Sequence, residues 1–210
     1  MINLSSNETF NIVTIGAWNP AIFSPEWAKK NLASDPSKDV ILAIPMQMTL
    51  PARLTVDDVN IYPSTTALMI DCVEYSPQSK ASCSDKLAKI ASLLEHTPVN
   101  GVGVNFRFAI EIGESPELMD LFSLNDASKI KADEFRITSS SIKRSFILQD
   151  STSLNLSIES IADKFICEFN FHSDISCLPQ IKEMTSSEKI DNNHKKAVEF
   201  MQTVYSIEIE

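Results

Sequence analysis

The chain has 210 residues, 43% of them hydrophobic and 22% charged, an ordinary globular composition that excludes long intrinsic disorder. Acidic side chains outnumber basic ones 28 to 18, and the net charge of −10 opposes phosphate-backbone binding and repels an anionic membrane surface. Acidity of this kind favours solubility and a basic partner.

Residues Met1 to Phe10 are polar and lack the basic start and apolar core of a signal peptide. No apolar run approaches the roughly 18 residues that cross a bilayer. The expectation is a cytoplasmic protein with no membrane partner. Cys72, Cys83, Cys167 and Cys177 show no CxxC pair or zinc-ribbon spacing. Three of them fall on strand or helix positions that suit a reduced cysteine acting as a small buried hydrophobe.

In chain order, Asn11 to Trp18 reads as a first strand. A helix start follows at Ser24-Pro25-Glu26, where serine caps, proline suits the first helical position and glutamate complements the dipole. Val40 to Met48 is β-rich but carries Pro45, the mark of an edge or a bulge. Short strands are expected near Arg53 and over Val59 to Tyr62, and a stronger one over Thr66 to Glu74. From Lys80 to Glu95, Cys83, Leu87, Ile90, Ala91 and Leu94 recur at helical spacing.

Val99 to Ile112 alternates, with Val102, Val104, Phe106 and Phe108 on one face and Gly101, Gly103, Asn105 and Arg107 on the other. Ser115-Pro116-Glu117 opens a short helix to Leu124. Strands are expected over Phe135 to Thr138, Ile142 to Leu148, Leu154 to Ser160 and Phe165 to His172. A polar stretch from Lys182 leads to a last helix, Glu188 to Tyr205. Trp18 and Trp27 are expected as core anchors.

The order repeats: strand, short Ser-Pro-Glu helix, several strands and a long helix describe residues 1–97 and again 98–210. The expectation is an α+β fold with a mostly antiparallel sheet, helices packed on one face, and two pseudo-repeated β-α-β(n)-α halves in one compact unit. This element order is similar to that of saddle-like folds of the TATA-binding type, a similarity of architecture that transfers no function.

No motif specifies chemistry. Gly101-Val102-Gly103 lacks the third glycine of a dinucleotide fingerprint and lies within a strand, where glycine permits close approach. His172-Ser173-Asp174 and Cys177 form no triad by adjacency, because neighbours in an extended segment point to opposite sides. His172 with Asp174 supplies two metal ligands at i,i+2 spacing, and no third can be named. His96 suits a helix C-terminus. His194 sits in a polar run and reads as solvated, as do Asp57-Asp58 in a turn and Glu208 and Glu210. No catalytic residue, metal or cofactor is expected, and the sequence shows no recognisable enzyme.

One constellation has a physical rationale. If the phenylalanines of two strands face the helices, Asn105, Arg107, Glu168, Asn170 and His172 share the open face of the sheet as a candidate recognition patch. The leading expectation is a non-catalytic protein-binding, adaptor or regulatory module, with self-association its simplest form. A small-molecule binder or hydrolase, with a pocket lined by the seven Met and eleven Phe between sheet and helices, is the alternative. Nucleic-acid binding stands last, since only Arg107, Lys143 and Arg144 fall on expected strands.

Overall fold

The computed structural model describes residues 8–47, 50–123, 134 and 137–207. Among the described residues nine strands form one antiparallel sheet in the order β2-β3-β4-β5-β1-β6-β9-β8-β7, joined by five α-helices. The strands are β1 (Glu8–Gly16), β2 (Ile41–Ala43), β3 (Arg53–Val56), β4 (Val59–Pro63), β5 (Ala67–Cys72), β6 (Val99–Glu111), β7 (Ser139–Ile147), β8 (Ser153–Ile161) and β9 (Lys164–Asp174). The helices are α1 (Pro25–Asn31), α2 (Pro77–Leu93), α3 (Pro116–Leu121), α4 (Pro179–Met184) and α5 (Ser187–Tyr205). The α+β class and the antiparallel sheet expected from the sequence are both present.

Proline opens four of these helices, where its missing N–H costs nothing. Ser24, Ser76 and Ser115 cap three of them through their hydroxyls. At α2 the cap is reciprocal: the Ser79 hydroxyl in turn accepts from the Ser76 backbone N–H. This box starts α2 three residues before the first apolar-periodic stretch. Helix α4 is not among the helices expected from the sequence, and only its second half falls in the polar stretch from Lys182. Phe135 and Arg136 of one expected strand, like Met1–Asn7, Met48, Leu124, Glu208 and Glu210, lie outside the described residues. Ile137 and Thr138 precede β7 without belonging to it.

The described residues divide into two compact units. The first comprises 10–105 and 171–193. Here β5 lies between β4 and β1, with Ile70 opposite both Ile61 and Ile12. Ile12, Ile61, Leu68 and Ile70 are fully buried, and α2 covers β4 and β5 with Cys83, Leu87 and Ile90. Ser84 donates to the Thr185 carbonyl at 2.5 Å, fastening α2 beside α4. Trp18 is buried, as expected, and donates its indole N–H to the Thr14 carbonyl. Trp27 is half-buried and packs edge-on against Phe23.

The second unit comprises 8–9, 106–170 and 194–207. Phe106, Phe108 and Phe169 are fully buried, and Phe169 lies edge-on to both Phe108 and Phe200 of α5. Strands β7 and β8 pair in continuous register, Arg144 opposite Leu156. Arg144 Nη1 donates to the Tyr205 hydroxyl.

Two substitutions separate good burial from bad. Phe169→Ala removes a fully buried ring and is expected to cost about 4 kcal/mol. The Thr14 hydroxyl is buried without a hydrogen-bond partner, so Thr14→Val is expected to be neutral or to stabilise by about 1 kcal/mol. Urea unfolding midpoints check both, and a loss of 2 kcal/mol or so in Thr14→Val would show that the hydroxyl is satisfied.

Candidate functional site

A cleft of about 720 Å3 lies within the first unit. Its floor is the stripe Ser82, Asp85, Lys86 and Lys89 of α2, positions i, i+3, i+4 and i+7 on one helical face. Leu32, beyond α1, and the turn between β3 and β4 close one side. The segment from Lys38 to Ile41, entering β2, forms the other.

At its base, Lys86 and Asp57 form an ion pair, Nζ to Oδ2 at 2.7 Å, with side-chain exposures of only 10% and 12%. Lys86 also donates to the Leu32 carbonyl at 3.1 Å. The Ser34 backbone N–H donates to the same Asp57 oxygen at 3.0 Å. The other oxygen, Oδ1, is buried with no hydrogen-bond partner. Asp57 adopts φ 55°, in the left-handed region that a two-residue hairpin turn uses and that aspartate tolerates better than most residues. Burial works against its charge, but the hydrogen bonds from Lys86 and Ser34 and the lysine charge outweigh it and hold the carboxyl below its ordinary value.

Around this pair the walls carry Lys38 and Lys89, Asp39, Asp58 and Asp85, and the hydroxyls of Ser34, Thr55 and Ser82. Among the described residues that line it, only Leu32 and Ile41 are apolar, and none is methionine or phenylalanine. Such a surface can bind a small polar molecule that carries charges of both signs. It holds no cysteine or histidine for nucleophile and base. Among the described residues no three His, Cys, Asp or Glu side chains are grouped to hold a metal ion.

The alternation of β6 and β9 is as the sequence indicates: Phe106, Phe108, Phe165, Cys167, Phe169 and Phe171 are buried, while Asn105, Arg107, Glu168, Asn170 and His172 are exposed or half-buried. Of these five, Arg107 and Glu168 are brought together in an ion pair at 3.2 Å. The others have hydrogen-bond partners outside the set. Asn105 donates to Asn11 at 2.7 Å, Asn170 accepts from Asn155 at 3.1 Å, and His172 meets Asp174 at 3.3 Å. Gly101 serves close approach, since a Cβ there would lie 2.8 Å from His172 Cε1. On β3, β4 and β5, Thr55 donates to Asn60 and Asn60 to Asp71. Burial raises the Asp71 carboxyl above its ordinary value, although Asn60 and Tyr62 hydrogen bonds oppose it.

Two residues read from sequence as solvated are not. Asp57 is the buried partner of Lys86, because the hairpin turn folds it under α2. His194 packs its ring on Phe106 at 5.2 Å and meets the buried Glu8 carboxylate, Nε2 to Oε1 at 2.7 Å. The polar run around it hid the fact that one turn of α5 faces the sheet. His96, by contrast, is exposed beside Glu95. Lys86 itself was detectable: it lies four residues before Ile90 on a helix whose polar stripe 82, 85, 86 and 89 has a period of its own.

A third feature is apolar. β2 ends the sheet order, and around it Ile41 (60% exposed), Leu42, Ile44 (76%), Met46 and Leu50 all present their side chains to solvent. Between Asp39 and Arg53 the sequence carries no charged residue.

The protein is thus an α+β protein with a nine-stranded antiparallel sheet, a polar cleft beside α2 and an apolar edge. No protein-family model matches the sequence, and no curated protein matches it significantly. No helix among the described residues is long and apolar enough to cross a membrane.

The Lys86–Asp57 pair generates a prediction with a definite sign. A carboxyl held low in the folded state contributes stability that is complete above its unfolded pKa of about 4 and is lost as pH falls through the folded value. Asp57→Asn, which leaves Lys86 buried without its counter-charge, is expected to cost about 3 kcal/mol at neutral pH. The gap between wild type and variant should narrow as pH drops below about 4. Denaturant melts at pH 7 and pH 3 check this, and a gap of equal size at both would remove the ion pair as its cause.

Proposed function

We propose that the protein is a non-catalytic protein-binding module that docks through the rim of the sheet at β2, with self-association as the simplest case. The supporting observation is the cluster of five large apolar side chains exposed within residues 41–50. Water-exposed side chains of this size, grouped at a sheet edge, are an association site in search of a partner strand or surface. Natural edges are commonly blunted by charge, and this one is not: residues 40–52 have none, in a chain of net charge −10. Two copies meeting here would bring apolar surface together without opposing carboxylates, so the overall acidity does not prevent association at this edge. Strand β2 is only three residues long, so main-chain pairing adds register, and burial of Ile44 and Met46 carries the energy.

A second reading rests on the cleft. Its size is within the range of small-molecule sites, and its walls offer charges of both signs around a buried ion pair. This favours a binder of a small zwitterionic or polar molecule over a hydrolase, because the lining provides no activated nucleophile. Nucleic-acid binding draws least support: Arg107 is engaged with Glu168 and Arg144 with Tyr205.

The test is sedimentation velocity of the wild type and of Ile44→Lys/Met46→Lys over a concentration series. Both side chains are solvent-exposed, so the variant is expected to fold like the wild type. The wild type is expected to reach twice 23.4 kDa and the variant to remain at one chain. Monomers of both at every concentration would overturn self-association.

A further inference from the structure

We infer that the outer edge of β7 is a second docking site, one that takes up an extended acidic segment of a partner protein as an added strand. β7 ends the sheet order on the side away from β2, and among the described residues no strand pairs with its outer side. Sheet edges are ordinarily kept short, bulged or broken by proline, because a row of unpaired N–H and C=O groups templates another strand. β7 has none of these guards. All nine of its residues, Ser139 to Ile147, pair with β8 in one unbroken register, and none is proline.

The turn that joins β7 to β8 fixes which backbone groups face outward. The Leu148 N–H donates to the Thr152 carbonyl at 2.9 Å, and the Ser151 N–H donates to the Leu148 carbonyl at 3.0 Å. Ser151 takes the positive φ, 63°, of the residue that closes a three-residue hairpin loop. Leu148 therefore turns its N–H towards β8, and antiparallel alternation gives the same direction to Phe146, Arg144, Ile142 and Ser140. Ser139, Ser141, Lys143, Ser145 and Ile147 direct their backbone groups outward, and all of them are exposed. The serines leave room for the side chains of an incoming strand. Ile147, 76% exposed, and Ile137, 56% exposed, offer apolar contacts at its two ends. On the covered face Arg144 is bonded to Tyr205 and Phe146 packs on Phe200, so the edge is held in place before anything docks.

Charge selects the occupant. Between Glu134 and Asp150 the sequence carries Arg136, Lys143 and Arg144 and no acidic residue, in a chain of net charge −10. These cations disfavour a second copy of β7. Antiparallel pairing over the whole strand sets Lys143 opposite its own copy. A shift of two residues sets Arg144 opposite its copy in one direction and leaves the two lysines diagonal neighbours in the other. A strand with carboxylates opposite Lys143 and Arg144 gains at both positions. Main-chain hydrogen bonds then supply affinity, and the charges supply the choice of partner.

The test uses the full chain carrying Ile44→Lys/Met46→Lys, so that β2 plays no part and docking at the two edges succeeds or fails separately. The probe is a fluorescein-labelled peptide, Val-Thr-Thr-Glu-Glu-Val-Thr-Val-Thr, whose glutamates fall opposite Arg144 and Lys143 in antiparallel pairing. Saturable binding by fluorescence anisotropy is expected. Amide exchange should slow at Ser141, Lys143 and Ser145, whose N–H groups face outward, more than at Ile142 and Arg144, which β8 already protects. Binding should weaken about fivefold in Lys143→Glu, an exposed site. It should be lost in a peptide with proline at its third and seventh residues, which keeps both glutamates but lacks donors facing β7. No saturable binding at millimolar peptide would overturn the proposal, as would equal binding of the proline peptide or of one with lysine in place of glutamate. Protection of β7 amides that rises with protein concentration in the absence of peptide would make a second copy the occupant and overturn it too.

Discussion

The constraint on which most of this structure depends is the two-residue period of β6 and β9. In the unit that holds Phe106, Phe108 and Phe169, that period puts three full rings on one face of two strands. Rings of that size cannot remain in water, and α5 supplies the cover: Phe200 against Phe169, and the His194 ring against Phe106. The same period leaves polar side chains at several of the alternate positions. Arg107 and Glu168 then sit on the opposite face, close enough to pair. Because such a pair is half-exposed, it adds little stability and mainly keeps the face hydrophilic.

The buried charges follow a different logic. Replacing a buried ion pair with well-packed apolar residues is often neutral or stabilising, so burial of Lys86 against Asp57 is poor evidence of a device for stability. What the pair does is fix geometry. Lys86 reaches Asp57 and the Leu32 carbonyl, so one ammonium joins α2, the β3–β4 turn and the end of α1 around a single space. Glu8 and His194 likewise tie β1 to α5. In each case a polar contact joins segments that are distant in sequence, and at Asp57 the joint forms the base of a cleft.

That distance explains which features the sequence discloses. Strand alternation and helix period are local, so β6, β9, α2 and α5 are legible within a few residues. Proline and serine at Ser24 and Ser115 mark two helix starts, and Ser76-Pro77 carried the same signal for α2. By contrast, nothing beside Asp57 in the chain announces Lys86, 29 positions away, and nothing beside His194 announces Glu8, 186 positions away. Both acceptors sit in polar surroundings that suit solvent equally well. Local pattern assigns residues to faces, whereas pairing across a fold requires the topology first.

The segment from Val40 to Ala52 brings the two levels together. Pro45 removes a backbone donor and ends the strand early, which accounts for β2 having three residues and an edge position. A short strand has too little surface to bury both its faces, so Ile41 and Leu42 are left exposed on alternate sides, with Ile44 beyond them. Were these positions merely tolerated surface, one or two charged side chains would serve at no cost to the core, as they do along exposed β7 at Lys143 and Arg144. An uncharged apolar rim on an otherwise acidic chain is therefore the observation on which the proposed docking at β2 rests.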